Sequence, residues 1–156
     1  MNALKRFGLY RAAAALLLPA LFTLPAAAQT ARVAVESHKS FDQTVNGLKS
    51  AVSQGGMMVM ATVDQGNMLS MAGLRLKATL FLVGNPTVGK KLFEQDHGVG
   101  LYVPIRVFVY EDKDGKTYVS YDRPSELLGQ FNNNEIGQTA AMLDQKLQGL
   151  VQMVTQ

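Results

Sequence analysis

The sequence predicts an α+β two-layer sandwich: a mostly antiparallel sheet of about five strands with helices and a long C-terminal helix packed on it. Three observations carry that expectation. Val103 to Glu111 alternates cleanly, with Ile105, Val107 and Val109 on one face and Arg106, Phe108 and Tyr110 on the other, and Thr117 to Tyr121 returns after an Asp114-Gly115 turn. Glu135 to Val154 carries Ile136, Ala140, Leu143, Leu147, Leu150 and Val154 as one helical stripe. Ser40 followed by Gln43 forms a capping box, in which each side chain satisfies an unpaired backbone donor at a helix start.

In chain order, Arg32 to Ser37 alternates, with Val33 and Val35 on one face, and predicts the first strand. The helix opened by Ser40 repeats Phe41, Val45, Leu48 and Val52 and stops at Gly55-Gly56. Met57 to Val63 is the second strand, and the short segment after Asp64-Gln65-Gly66 is ambiguous. Ala78 to Val83, nearly all apolar, is expected to be a central, covered strand. Thr87 to Asp96 forms a short helix, the hairpin follows, and Pro124 opens another short helix before the break at Asn132-Asn133-Asn134. Met142, Val151 and Met153 lie off the main stripe of the last helix, so part of it is expected to face a second copy.

The first residues read as an export signal. Lys5, Arg6 and Arg11 precede an apolar stretch, and Ala26-Ala27-Ala28 offers a small-x-small cleavage site, with the cut expected after Ala28. The stretch Ala12 to Leu24 is shorter than the roughly 20 residues a bilayer span needs, so no anchor is expected after cleavage. The expectation is a periplasmic or secreted protein whose residues 29–156 form one domain.

Charge is redistributed by that cut. The chain holds 15 Lys+Arg against 12 Asp+Glu, and Lys5, Arg6 and Arg11 account for the whole excess. Residues 29–156 are formally neutral, which argues against nucleic acid as a partner. No basic run exceeds Lys90-Lys91, so no electrostatic membrane patch is expected. The absence of cysteine excludes thiol catalysis, thiolate metal sites and disulfide exchange.

A further set of residues resembles the bacterial domain of unknown function 302 (DUF302) family. These are Phe41-Asp42-x-Thr44-Val45, Val63-Asp64, Gly84-Asn85-Pro86, Gly89, Pro104, Glu111-Asp112-x-Asp114-Gly115-Lys116 and Val119-Ser120-Tyr121. The resemblance runs from about Val33 to the end of the last helix. It implies a TATA-binding-protein-like β-α-β(4)-α fold and a homodimer, and it implies no established reaction. Members often carry His after the residue matching Asp64, where this chain has Gln65, and an Arg-His pair where it has Gly129-Gln130. A metal or haem role built on those histidines has no counterpart here.

Gly84-Asn85-Pro86-Thr87-Val88-Gly89-Lys90 fits the spacing of a phosphate-cradling loop, but Lys91 replaces the hydroxyl residue that would hold magnesium. What remains is a small anion nest of backbone amides beside Lys90. Five of the eight methionines fall between Met57 and Met71, and Met58, Met60, Met68 and Met71 are the candidate thioether ligands for copper(I). The competing reading is that methionines fill the core. His38 and His97 are the only histidines, so a multi-histidine metal site is excluded. His97, beside Asp96 and near Glu94, is the best general-base candidate, against the reading of a solvated loop. Asp112-x-Asp114-Gly115 matches a fragment of a calcium loop, but Arg123 stands where the distal Glu belongs.

The functional expectation is therefore a non-catalytic, dimeric domain binding a small ligand or another envelope protein, without cofactor. Its ligand site is expected to join Asp64, Gly84, Asn85, Pro86 and His97, which end strands or enter loops. Two alternatives stand beside it: a methionine-rich periplasmic copper(I) binder, and a hydrolase-like enzyme using His97 or Asp64 as acid or base.

Overall fold

The computed structural model describes residues 31–156, and the expected signal peptide and its cut after Ala28 lie outside the described residues. The order is β1 (Arg32–Ser37), α1 (Phe41–Gln54), β2 (Met58–Asp64), α2 (Gln65–Ser70), β3 (Ala78–Gly84), α3 (Pro86–Gln95), β4 (Ile105–Glu111), β5 (Thr117–Asp122), α4 (Pro124–Leu128) and α5 (Asn134–Thr155). The five strands form one sheet in the order β1-β5-β4-β3-β2, with every neighbouring pair antiparallel. The fold is the α+β sandwich with a long C-terminal helix that the sequence predicts.

Local chemistry sets the elements. The Ser40–Gln43 capping box is present in both directions, and α1 ends against Gly55. The hairpin between β4 and β5 turns at Gly115, whose φ of 79° suits a residue without Cβ. The Asp112 carboxylate accepts the N–H groups of Asp114 and Lys116, both at 2.9 Å, so this carboxylate is committed to the turn.

One face of the sheet meets the helices. Phe81, Val83, Val107, Val109 and Val119 are fully covered there, against Leu48 and Val52 of α1 and Ile136, Leu147 and Val154 of α5. Each such side chain removed from water contributes about 1.5–3 kcal/mol. The opposite face has no helix layer, so β3 is interior in the sheet but covered on one side only: Leu80 and Leu82 remain half-buried. Val151 is another departure, because it is buried in the core, leaving only Met142 and Met153 exposed among the three off-stripe apolar residues of α5.

Candidate functional site

The β3–α3 junction borders an apolar cleft. Asn85 is the N-cap of α3, its side-chain oxygen accepting the N–H groups of Thr87 at 2.8 Å and Val88 at 3.3 Å, and Pro86 occupies the first turn. The helix then runs past the ends of β3 and β4 and leaves a cleft of about 230 Å³. Val83, Gly84, Val88, Leu92, Phe93, Pro104, Ile105 and Leu143 form its walls, and Met60 enters from β2. A bulge between Val59 and Ala61 breaks the regular alternation of β2, and Met60 sits at that irregularity.

Asn85 is the only polar side chain among the described residues lining the cleft. Its amide group donates to the Gly56 carbonyl at 2.7 Å, while its oxygen caps α3. Both ends of that side chain are thus satisfied, and the cleft offers an incoming molecule apolar contact with almost no hydrogen bonding. The same bonds answer the anion-nest expectation: the amides that would cradle an anion are held by Asn85, and Lys90 pairs with Glu94 one helical turn on.

The five positions expected to form one site do not meet. Gly84, Asn85 and Pro86 line the cleft. Asp64 pairs with Thr79 at the other end of the β2–β3 ladder from the Met58–Gly84 pair, about 20 Å away at the rise of a strand. There its carboxylate accepts the Asn67 N–H at 2.9 Å and caps α2. His97 follows the C-terminus of α3, about 15 Å along the helix from Asn85, and is exposed in a short 3₁₀ turn. Asp96 bonds the Gly98 N–H at 2.6 Å, not the imidazole. No triad or carboxylate pair forms around His97 or Asp64 among the described residues.

The methionines are similarly divided. Met57 is buried in the core and Met60 lines the cleft, whereas Met68 and Met71 project from α2 and its C-terminal end, beyond Asp64. Met58 and Met60 stand at the opposite end of β2 from that pair, so the candidate thioethers do not converge.

Sequence reasoning missed a second depression, an open trough of about 400 Å³ lined by strand residues of the sheet and by Gln65 at the start of α2. Phe108 and Tyr110 line it and stack at 5.1 Å, and Tyr110 stacks in turn on Tyr118 at 5.4 Å. Asp122 sits between Arg32 at 3.6 Å and Arg106 at 3.9 Å, so its charges are mutually paired. The alternation of β4 already placed Arg106, Phe108 and Tyr110 together, which was the available signal. The shifted protons also lie on β5 and its turn. Tyr118 and Tyr121 are raised, each mainly by burial, and Lys116 is raised mainly by its hydrogen bond to Glu36.

Comparison with known proteins follows the same lines. A solved structure, the uncharacterized conserved protein DUF302 from Bacillus stearothermophilus, superposes with a TM-score of 0.73 at 21% identity, covering 79% of this chain and 97% of that one. It therefore shares the fold. The chain is 35% identical over 96 residues to the fluoride-specific ion channel FluC 1 of Brucella suis biovar 1 (strain 1330) and, at the same level, to FluC 1 of Brucella abortus biovar 1 (strain 9-941). That alignment takes in 61% of this chain but spans only 38% and 36% of those proteins. Among the described residues no helix is long and apolar enough to cross a membrane. The family profile described as "Domain of unknown function DUF302" matches residues 33–154, so the chain belongs to the DUF302 family.

Proposed function

We propose that this chain is a non-catalytic binding domain, exported and accessory to another envelope protein, that takes an apolar group of its partner into the cleft between α3 and the sheet. One observation carries the reading: the cleft is lined by apolar side chains except Asn85, whose amide and oxygen are both engaged within the protein. At about 230 Å³ it lies below the roughly 300–1,000 Å³ of sites for larger ligands. It matches one large side chain or a small ring. Phe93 at its rim is 41% exposed, and Leu101, next to the glycine whose backbone lies against the Phe93 ring, is 86% exposed. Apolar anchors in such pockets dominate the energetics of many protein interfaces.

The Brucella proteins support an accessory role. There a segment similar to this chain is part of proteins named as fluoride-specific ion channels, while most of their length has no counterpart in the match. The dimer implied by the family belongs to the same reading, with Met142 and Met153 on α5 as its exposed apolar candidates.

The test uses benzyl alcohol as a probe, titrated into isotope-labelled protein of residues 29–156 and followed by amide shifts. Shifts should cluster at Gly84–Phe93, Val103–Ile105 and Leu143. Gly89 lines the cleft, and a Cβ there meets nothing within 4 Å, so Gly89→Leu should fold normally and abolish those shifts. Shifts spread over the sheet's open face, or unchanged in Gly89→Leu, would overturn the assignment.

A further inference from the structure

The connection between β2 and β3 ends in an exposed apolar tip. Met68, Leu69, Met71, Leu74 and Leu76 are 55%, 38%, 80%, 52% and 38% exposed, all within nine residues of sequence. Such a density of long apolar side chains in water is unusual for a soluble surface.

The tip is built, not loose. Asp64 caps its helix, and the Ser70 hydroxyl bonds the Asn67 carbonyl at 2.7 Å. The N–H groups of Ala72, Gly73 and Leu74 return to Leu69 and Ser70 at 3.0–3.1 Å, with Gly73 at φ 85° closing the turn. At its base Gly66 lies so close to the next strand that an added Cβ would stand 2.6 Å from the Leu76 carbonyl. The N–H groups of Ala72, Gly73 and Leu74 at the crown of the turn are therefore bonded within it, which lowers the cost of their entering a poorly hydrated medium.

Charge indicates which medium. No Asp or Glu occurs from Gln65 to Phe93, while Arg75 stands within the tip and Lys77 at its base. Lys77 pairs with Glu111 at 3.1 Å, whereas Arg75 has no ion-pair partner among the described residues. A second copy is a poor fit. Stable interfaces draw roughly 20–30 residues from each side, and two such tips would bring Arg75 against Arg75.

We propose that the Met68–Leu76 tip docks peripherally on an anionic lipid surface, its methionine and leucine side chains entering the headgroup–acyl boundary and Arg75 meeting lipid phosphate. Long apolar chains on a convex support suit a fluid interface, and the guanidinium can remain at headgroup level while its stem is covered. The tip and the cleft stand at opposite ends of the β2–β3 ladder, so a domain held at a membrane by the tip keeps its cleft accessible.

The experiment is co-flotation of residues 29–156 with phosphatidylcholine vesicles, with and without phosphatidylglycerol, at physiological ionic strength. Binding should require phosphatidylglycerol and fall at least about tenfold in the Met71→Asp, Leu74→Asp double variant. Both positions are exposed, so its thermal unfolding should match the parent. Arg75→Glu should weaken the response to phosphatidylglycerol, and Gly89→Leu should leave flotation unchanged, which separates this surface from the cleft. No flotation on either vesicle, or equal flotation by the double variant, would overturn the proposal. Self-association abolished by the same pair, without vesicle binding, would overturn it in favour of a second copy.

Discussion

Asp144 on α5 caps α4 from a distance: it accepts the backbone N–H of Ser125 at 3.1 Å with one carboxylate oxygen and the Ser125 hydroxyl with the other. Arg123, the residue at the N-cap position of α4, supplies no side-chain bond of its own. The five-residue helix is too short to persist alone, so its start is satisfied by the element it packs against. Asp144→Ala should therefore cost about 1–3 kcal/mol in urea unfolding, since a partly buried donor loses its acceptor. Ser125→Ala should cost less, because the backbone donation survives. A double-mutant cycle with no coupling between the two would contradict this relationship.

Alkaline pH should destabilise the protein through β5 and its turn. Tyr121 is raised above its ordinary 10.0, first by burial and then by the charge of Asp144, with Arg123 opposing; Lys116 is raised above 10.5, first by its hydrogen bond to Glu36. Each group binds its proton more tightly folded than unfolded, so the unfolded chain releases protons first as pH rises. Their contribution is complete below those ordinary values and is lost as pH climbs through the raised ones. Urea midpoints should stay level near neutrality and fall above pH 10, and Tyr121→Phe should fall less steeply. An equally steep fall in that variant would remove Tyr121 from the account.

Two glycines should respond in opposite directions. A Cβ at Gly66 would stand 2.6 Å from the Leu76 carbonyl and 3.2 Å from the Ala78 nitrogen, both backbone atoms, so Gly66→Ala should destabilise by about 1–3 kcal/mol. Gly89, inside α3 with open space around its Cβ position, should tolerate alanine and gain roughly 0.5–1 kcal/mol. Thermal unfolding of the two variants compares them directly. Equal midpoints would show that the Gly66 contact relaxes without cost.

Asn85 has two separable duties. Asn85→Ala loses both the cap of α3 and the bond to Gly56, and should cost about 1–2 kcal/mol or more. Asn85→Asp keeps an oxygen for Thr87 and Val88 but sets a carboxylate against the Gly56 carbonyl, and should lie between the parent and the alanine variant. Aspartate at or above parental stability would mean that the Gly56 bond contributes little.

Much of the scaffold was legible in the chain because its determinants are local. The Ser40–Gln43 box, the period-two pattern of Val103 to Glu111, the Gly115 turn and the stripe from Ile136 to Val154 each act within a few residues. The site was only half legible. Gly84, Asn85 and Pro86 mark the end of a strand and the start of a helix, which the sequence announces, and they do line the cleft. The tip leaves no mark in the sequence, because what distinguishes Met68 to Leu76 is apolar exposure, a property of packing and not of composition.

By itself the sequence determined the class of fold, the order of its elements and the family. Only the tertiary structure decided which residues share a place. Antiparallel pairing of β2 with β3 sends Asp64 and Gly84 to opposite ends of one ladder, although both terminate strands. A one-residue bulge breaks the alternation at Met60, and docking of α4 on α5 brings Asp144 to Ser125. Register, bulges and helix docking depend on contacts between segments distant in the chain, and local periodicity carries no record of them.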